Sequence, residues 1–390
     1  MIITSLEMFK ISKKNTDVLI IDECGSEWIE YCIPQSCECA IVKIRGVIPY
    51  VNSLSFLFAL FKNLIIFRDG FQNFKSSIRK IFLASIIDEL NPAVLITFID
   101  NNSLLGSLFR LYPEVKMISV QNGMRVDNSI TIGIATDDYI FDDYYTFGLF
   151  EKDLYTSKGM TILSHHPKGS LKLGIYLSKY GNSILSRNKN SKTICFVSQY
   201  RKNTVDSKNV FDCKFVEATK RLYELTVLWA LNNNFNIVVS MVCSTSDVDY
   251  NNELIFFKEI VNNNIIEYSS NDRVKMISYE NAISSSVVIG MDSTLLLEMF
   301  GIGKKVLWGS SYDSNFLKLR GMVKYNEKMP PEVMLYNLDD NIFNKKVDSL
   351  LSMSQHDYIS TTADAKEYFM NINEPYTHEA IKNNIQNRVY

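Results

Sequence analysis

Histidine is scarce in this sequence, which has four histidines among 390 residues. They are His165, His166, His356 and His378, and no nucleophile motif accompanies them. A Ser-His-Asp or Cys-His enzyme needs a histidine beside an activated nucleophile. The sequence therefore favours neither of these enzyme classes.

Paired cysteines are also lacking. The cysteine count of seven is odd, and no basic segment leading into an apolar one marks a secretory signal. These features predict a cytoplasmic protein with reduced thiols. Cys24, Cys32, Cys37 and Cys39 lie close together in sequence but form no C-x-x-C pairs. We therefore interpret them as ordinary buried residues rather than as zinc ligands.

The sequence has neither an excess of one charge nor a long hydrophobic run. Its 41 basic and 43 acidic residues give a net charge of −2, which gives no reason to expect a nucleic-acid partner. The longest apolar run, "FLFALFKNLIIF" at 56–67, is interrupted by Lys62 and is too short to span a bilayer. With 46% hydrophobic residues the chain has ample apolar surface for packed cores, and its length predicts two domains.

Short apolar runs alternate with helical patterns, which predicts parallel sheets covered by helices. In the N-terminal half the predicted strands are 18–22, 40–46, 93–100, 116–123 and 144–148, and the predicted helices are 52–67, 71–90 and 101–113. In the C-terminal half the predicted strands are 193–200, 235–242, 273–277, 286–290 and 305–309, and the predicted helices are 214–234, 252–262, one from about 279, and 294–303.

Pro, Gly, Ser and Lys are dense in residues 164–192, which predicts an interdomain boundary there. We expect an N-terminal domain at 1–165, a linker at 166–192, a C-terminal domain at 193–335, and a helical segment at 336–390 that packs back on the N-terminal domain. The predicted fold class is α/β, with two Rossmann-like domains facing each other across a cleft and C-terminal helices.

A polar turn follows the predicted strand at 286–290. Ligands of open parallel sheets bind at the carboxyl ends of the strands, where loops lead into helix N-termini. In "GMDSTLLLE", Asp292, Ser293 and Thr294 would begin a helix whose N–H groups suit a phosphate. Glu298 lies on the same helical face as Thr294 and can accept hydrogen bonds from a ribose diol. The alternative is that Asp292 or Ser293 only caps the helix and Glu298 is solvated.

The spacing from Glu298 to "GKKVLW" resembles the donor-binding segment of GT-B glycosyltransferases. More closely, "IGMDSTLLLEMFGIGKKVLW", "TFIDNNSLL", "ISVQNGMR" and "GSLK" (169–172) resemble bacterial surface-carbohydrate and O-antigen-type glycosyltransferases, a group that includes relatives of Kdo (CMP-sugar) transferases. The resemblance implies a GT-B fold and transfer of a sugar from a nucleotide donor to a bacterial surface polysaccharide or lipid-linked glycan. It also implies that the C-terminal domain binds the donor, that the N-terminal domain binds the acceptor, and that the protein holds no metal cofactor.

In "TFIDNN", Asp100 and Asn101 end an apolar strand. Glycosyl transfer needs a base for the acceptor hydroxyl or, in a double displacement, a carboxylate nucleophile. Asp100 is the candidate catalytic residue, and Asn101 is a candidate contact for the acceptor. The alternative is that Asp100 caps the following helix.

In "ISVQNGMR", Gly123 permits a tight turn after the strand, the amides of Gln121 and Asn122 can bond sugar hydroxyls, and Arg125 can face an anionic group. We predict that these four residues bind the acceptor and the reacting sugar. The alternative is an Asn-Gly turn with a surface arginine. The resemblance to Kdo transferases favours a CMP-linked acidic sugar as donor. Arg125 or Lys168 can form an ion pair with the carboxylate of that sugar.

Three further groups carry weaker signals. The loop "FVSQYRKN" follows the first strand of the C-terminal domain, so Ser198, Gln199 and Arg201 are predicted donor contacts. His165 and His166 lie in the predicted boundary stretch 164–192, where they meet a donor phosphate or, as we favour, form a solvated hinge. The acidic residues of "DDYIFDDYY" are Asp137, Asp138, Asp142 and Asp143; they bind a divalent ion or, as we favour, are solvated strand ends.

The segment 55–82 carries Lys62, Arg68, Lys75, Arg79 and Lys80 among Phe, Leu and Ile residues. A basic amphipathic surface suits an anionic bilayer, and a lipid-linked acceptor would require one. One hypothesis is therefore peripheral contact with the inner membrane through this segment. The alternative, which we favour from the sequence, is two ordinary core helices with solvated lysines.

Two other functions fit the same fold. A nucleotide-sugar epimerase or hydrolase would act on the donor without an acceptor. A non-catalytic nucleotide-sugar-binding protein would keep the site at Glu298 and tolerate the loss of Asp100.

Overall fold

The computed structural model describes residues 7–11, 16–45, 47–67, 74–101, 103–106, 108–125, 139–181, 191–272, 274–309 and 327–389. The chain forms two compact units. The first unit comprises Met1–Asn122, Ser129–Ile175 and Asn373–Tyr390, and the second unit comprises Gly123–Asn128 and Tyr176–Ile372. Among the helices in these described ranges, none is long and apolar enough to cross a membrane.

The strands are β1 Glu7–Ile11, β2 Val18–Ile21, β3 Cys39–Val42, β4 Val47–Val51, β5 Val94–Thr97, β6 Lys116–Val120, β7 Ile140–Thr146, β8 Thr161–Pro167, β9 Thr193–Val197, β10 Asn236–Ser240, β11 Ile266–Ser269, β12 Val287–Gly290, β13 Val306–Gly309 and β14 Met334–Leu335. The helices are α1 Ser26–Ile29, α2 Leu54–Ile66, α3 Phe74–Leu90, α4 Ser103–Gly106, α5 Phe150–Thr156, α6 Leu171–Tyr180, α7 Lys202–Val205, α8 Val210–Asn233, α9 Tyr250–Ile260, α10 Ile277–Ser284, α11 Thr294–Gly301, α12 Asp340–Ser352, α13 Gln355–Phe369 and α14 Thr377–Val389.

The sheet of the first unit has the strand order β3-β2-β5-β6-β7-β8, and all its pairs are parallel. Every residue of β2 and β5 is buried, because helices cover both faces of a central parallel strand. The strand order changes direction between β2 and β5. Loops that follow these two strands therefore lie at a switch point, where open α/β sheets bind ligands.

The first unit also contains a small parallel sheet of β1 and β4. Ile11 and Val51 from this sheet share a hydrophobic core with Phe56 of α2 and Leu83 of α3. The Ser53 hydroxyl caps α2 by accepting a hydrogen bond from the Phe56 N–H. This sheet and helix pair fix which face of α2 is buried.

The sheet of the second unit has the order β11-β10-β9-β12-β13-β14, again with parallel pairs throughout. Counted in chain order this is 3-2-1-4-5-6, the order of the Rossmann fold. Its switch point lies between β9 and β12. The prediction of α/β units with parallel sheets is therefore confirmed.

The predicted linker at 166–192 and the C-terminal segment at 336–390 differ from the structure. The chain passes between the units within α6, at Ile175 and Tyr176, which are both buried. The helical pattern of "LKLGIYL" thus outweighs the Gly and Ser around it. Only α14 of the three C-terminal helices belongs to the first unit, because α12 and α13 bury Phe343 and Tyr358 within the second unit.

Several elements were missed or misplaced. The sequence did not predict β1, β4, β8 or β14, and β11 lies at Ile266–Ser269 rather than at 273–277. The predicted helix at 101–113 is the short α4 followed by the 3-10 turn Phe109–Leu111. Leu108 and Tyr112 are buried, so the apolar pattern reflected packing rather than a continuous helix.

Candidate functional site

The switch point of the second unit brings the ends of β9 and β12 together. Gly290 and Val197 are paired in register, and a Cβ added to Gly290 would lie 3.2 Å from the Val197 Cβ. A glycine therefore lets the two strand ends approach closely. The loops that leave these strands begin at Ser198 and Met291. This is where a Rossmann-type unit binds its ligand.

The turn after β12 leads directly into α11. Ser293 has an extended backbone, with φ −118° and ψ 135°, and forms the N-cap of the helix. Within the described ranges its side chain accepts no capping hydrogen bond. Its C=O accepts the Leu297 N–H at 3.2 Å. The first-turn N–H groups of α11 and the positive end of its dipole therefore suit an anionic ligand group.

A second predicted motif reaches the same turn. The backbone N–H of Met124 donates a hydrogen bond of 3.1 Å to Thr294 Oγ1, across 170 positions of sequence. A Cβ added to Gly123 would lie 3.5 Å from that oxygen. Gly123 and Met124 belong to the second unit, in the short segment Gly123–Asn128. The structure thus brings part of "QNGMR" and part of "MDST" together.

Glu298 lies one turn further along α11 and is buried, with 4% of its surface exposed. The Tyr279 hydroxyl donates a hydrogen bond of 2.9 Å to its Oε1. The alternative of a solvated Glu298 is therefore wrong. A carboxylate offers about four acceptor positions in all, and Tyr279 occupies one of them.

Ser198 is buried beneath the loop after β9. Its hydroxyl donates to Glu253 Oε1 at 2.5 Å and accepts from the Tyr200 N–H at 3.1 Å. Glu253 also accepts the N–H groups of Val242 and Cys243, at 2.9 and 2.8 Å. This network ties together the loops that follow β9 and β10, so Ser198 supports the loop rather than projecting from it.

The sequence did not identify Glu253 or Tyr279. An acid within an amphipathic helix such as α9 has the same sequence pattern whether it is solvated or buried. The other predicted residues of the β9 loop differ in exposure. Gln199 is half-buried, and its Nε2 donates to the Ser198 carbonyl at 3.3 Å, whereas Arg201 is exposed at the N-cap of α7.

Asp100 does not lie where the sequence placed it. Its side chain is fully buried within the first unit, and its Oδ2 accepts hydrogen bonds from the Tyr144 and Tyr155 hydroxyls at 2.6 and 3.1 Å. The expectation of an acid facing an open site is therefore corrected, because two tyrosines of the neighbouring elements cover it. Asn101, the next residue, is half-buried.

Gln121 is likewise engaged inside the first unit. Its Oε1 accepts the Phe147 N–H at 2.7 Å, and its Nε2 donates to Glu151 Oε1 at 2.7 Å. Both ends of the amide make hydrogen bonds within the first unit and the residue is buried, and its role in binding sugar hydroxyls stays a prediction. Asn122 and Gly123 are half-buried, and Arg125 is buried with its Nη1 3.5 Å from the Met124 carbonyl oxygen.

The predicted acidic and histidine groups form a polar cluster in the first unit. Lys116 Nζ lies 3.0 Å from carboxylates of both Asp142 and Asp143, and Asn384 of α14 donates to Asp143. Burial alone would raise the pKa of Asp143, but hydrogen bonds from His166, Asn384 and Lys116 bring it well below its usual range. The Asn384 contact docks α14, and Asp142 and Asp143, which lie within β7, are paired rather than solvated strand ends.

His165 donates to or accepts from Thr146 Oγ1 at 2.8 Å. Burial, followed by the charges of Lys152 and His166, lowers its pKa to about 4. Asp137 and Asp138 lie outside the described residues. Within the described ranges, no group of three or more His, Cys, Asp and Glu residues is placed to hold a metal ion. Metal independence stays a prediction.

The chain matches a protein family described as "putative O-antigen biosynthesis protein" over residues 118–377. The match covers more than half of the chain, which therefore belongs to this family. No curated protein matches the chain.

Two solved structures share its fold. One is described as a "putative UDP-N-acetylglucosamine 2-epimerase" from Listeria monocytogenes; it is 12% identical, with a TM-score of 0.52 over 98% of this chain and 95% of that chain. The other is the wall teichoic acid polymerase TagF, which is 11% identical, with a TM-score of 0.51 over 97% of this chain and 91% of that chain. Both are similar in fold alone, and they confirm the predicted GT-B-like class.

Proposed function

We propose that this protein is a GT-B glycosyltransferase that moves a sugar from a nucleotide donor to a bacterial surface polysaccharide or lipid-linked glycan. Its membership of an O-antigen biosynthesis family and its fold support this proposal. One observation carries it. The Met124 N–H donates to Thr294 at the start of α11, four residues before the buried Glu298 on the same helix.

The donor nucleotide binds to the second unit in this proposal. The N–H groups at the start of α11, with the Ser293 and Thr294 side chains, hold the phosphate. Glu298, one turn further in, accepts hydrogen bonds from the ribose diol. This spacing suits a nucleoside phosphate, because a ribose separates its phosphate from its base. Asp292, Gln199 and Arg201 surround the same strand ends and are candidates for further donor contacts.

The donor sugar in this proposal is a CMP-linked acidic sugar such as Kdo. Arg125 is the candidate partner for its carboxylate, because a guanidinium pairs with a carboxylate through two parallel hydrogen bonds. The residue follows directly after Met124, which contacts the start of α11.

The acceptor binds to the first unit. Asn101 and Asn122 follow β5 and β6, are half-buried, and remain our candidates for acceptor hydroxyls. Asp100 directly precedes Asn101, and its carboxylate accepts hydrogen bonds from two tyrosine hydroxyls. In this proposal Asp100 therefore has a positioning role, and the Asp100→Asn variant tests the catalytic role predicted from the sequence.

The proposal is tested by incubating the purified chain with CMP-, UDP-, GDP- and dTDP-sugars, with and without a lipid-linked glycan fraction. We expect release of one nucleotide only when the acceptor is present, and loss of this release in Glu298→Gln. The same assay with EDTA tests metal independence, for which unchanged turnover is expected. Absence of acceptor-dependent release with all four donor classes would contradict the proposal.

A nucleotide-sugar epimerase is the second candidate. It is supported by the fold likeness to the Listeria protein, which is as high as that to TagF. It predicts that the chain converts a nucleotide sugar without any acceptor. Formation of an epimer or free sugar in the acceptor-free reactions would favour this candidate over transfer.

The place of the reaction follows from its donor. In this proposal the nucleotide-sugar donor is in the cytoplasm, so the protein acts there. A lipid-linked acceptor would bring the enzyme to the inner membrane.

A further inference from the structure

The outer face of α2 carries a row of large apolar side chains in contact with solvent. They follow the three-to-four-residue repeat of a helix, with adjacent pairs at 57–58 and 64–65, and lie on one face: Leu54, Leu57, Phe58, Phe61, Leu64 and Ile65. Leu54 is 76% exposed, Phe58 75% and Phe61 66%. We call these six residues the α2 stripe. Isolated exposed apolar residues are normal, but a contiguous group of this kind marks an interaction surface.

The opposite face of α2 is firmly held. Phe56 lies in the hydrophobic core, and Asn63 Nδ2 donates to Ser85 Oγ and to Asp88 Oδ2 of α3, at 3.3 and 2.9 Å. A helix with Phe56 and Asn63 buried must present the stripe outwards, because they lie on the other side of a 3.6-residue turn. The exposure of the stripe is therefore fixed by the packing of α2.

Charge identifies the partner of the stripe. Residues 54–82 contain five basic residues and one acidic residue, Asp69, although the whole chain has a net charge of −2. One of the five, Lys62, is paired with Asp88 of α3, with 3.1 Å between Nζ and Oδ2. Arg79 on α3 is exposed. In a two-fold dimer the same patch meets itself, so pairing through the stripe would bring two basic segments together. An anionic bilayer instead offers hydrocarbon to the stripe and phosphates to the basic side chains.

We propose that the α2 stripe docks the protein on the surface of an anionic phospholipid bilayer. The apolar side chains enter the boundary between headgroups and acyl chains, and the helix lies parallel to the surface. Exposed basic side chains of α3, such as Arg79, pair with the anionic headgroups. The inference goes beyond the proposed function and does not depend on it, because it concerns no nucleotide or glycan.

The test is co-sedimentation of the full chain with phosphatidylcholine vesicles, with or without phosphatidylglycerol. We expect binding to the anionic vesicles that is at least tenfold tighter than to the neutral ones and weaker at high salt. The double variant Phe58→Ser, Phe61→Ser should bind the anionic vesicles at least tenfold more weakly. Val248→Ser is the matched control, since Val248 is 95% exposed in the second unit and should leave binding unchanged.

Absence of binding to either vesicle, or equal binding by the double variant and the control, would overturn the proposal. The proposal would also be overturned if light scattering showed a dimer of the unmodified chain and a monomer of the double variant, and neither protein bound vesicles. Circular dichroism and thermal unfolding check that the variants fold. If the double variant does not fold, the single variant Leu54→Ser provides the same test. Since no nucleotide is present, failure here leaves the proposed transferase activity untouched.

Discussion

The Tyr279 hydroxyl donates a hydrogen bond of 2.9 Å to the Glu298 carboxylate, and both side chains are buried. Tyr279 lies on α10 and Glu298 on α11, so the bond joins two adjacent helices. It holds one oxygen of the carboxylate and so fixes its orientation. Tyr279 is therefore a positioning residue that acts through Glu298.

Tyr279→Phe should weaken nucleotide binding about tenfold, because it removes one hydrogen bond to a buried carboxylate, worth about 1.5–3 kcal/mol to a charged group. Calorimetric titration with the nucleotide that binds the wild type measures the change. Tyr31→Phe, at an exposed tyrosine of the first unit, is the control and should leave the Kd unchanged. A Kd for Tyr279→Phe equal to that of the control would remove the positioning role.

Asp100→Ala should lower the free energy of unfolding by about 2–5 kcal/mol, because two buried tyrosine hydroxyls lose their acceptor. Asp100→Asn keeps an acceptor oxygen and should cost about 1 kcal/mol. Urea unfolding measures both changes, with Asn101→Ala as the neighbouring control. Loss of turnover in Asp100→Asn at unchanged stability would instead restore the catalytic role that the sequence predicted.

Acid should destabilise the protein through His165. Its pKa falls from the ordinary value of 6.5 to about 4 on folding, so between these values the unfolded chain binds more protons than the folded one. Stability from this group is therefore complete above pH 6.5 and is lost as the pH falls towards 4. His165→Gln, which can still bond Thr146, should reduce this loss.

Urea unfolding at pH 7, 6 and 5 measures the effect, with the exposed His356→Gln as control. Asp143 titrates below this range, because its pKa is lowered from an ordinary value of 3.8. The pH ranges in which His165 and Asp143 affect stability are therefore different. An unchanged pH dependence in His165→Gln would show that another group is responsible.

The central strands were predictable because they are buried on both faces, and a strand such as β2 or β5 is a continuous apolar run. Edge strands do not have this signature. β8 and β11 lie at sheet edges and are mostly half-buried, so polar residues such as His165 and Glu267 are tolerated. The pattern of β8 was consequently assigned in part to the predicted linker, and β11 was predicted at 273–277 instead of Ile266–Ser269. β4 contains Pro49, which also obscured it.

The site was predictable only where topology alone determines it. Ser293 and Thr294 follow a parallel strand, so their place at its carboxyl end follows from the fold. The contact of Met124 with Thr294 joins residues 170 positions apart, which no local pattern encodes. The same holds for the tyrosines that cover Asp100: their hydroxyls come from β7 and α5, and only packing brings them to the end of β5.

The central claim is that the start of α11 and Glu298 hold a nucleotide, and calorimetry of CMP, UDP, GDP and dTDP with the purified chain tests it most directly. The matched pair is Glu298→Ala and Glu259→Ala, the latter at an exposed acid of the same unit. We predict that one nucleotide binds the wild type and Glu259→Ala equally, and binds Glu298→Ala about 100-fold more weakly, a change of about 2.7 kcal/mol. Failure of all four nucleotides to bind at millimolar concentration, or undiminished binding by Glu298→Ala, would contradict the account.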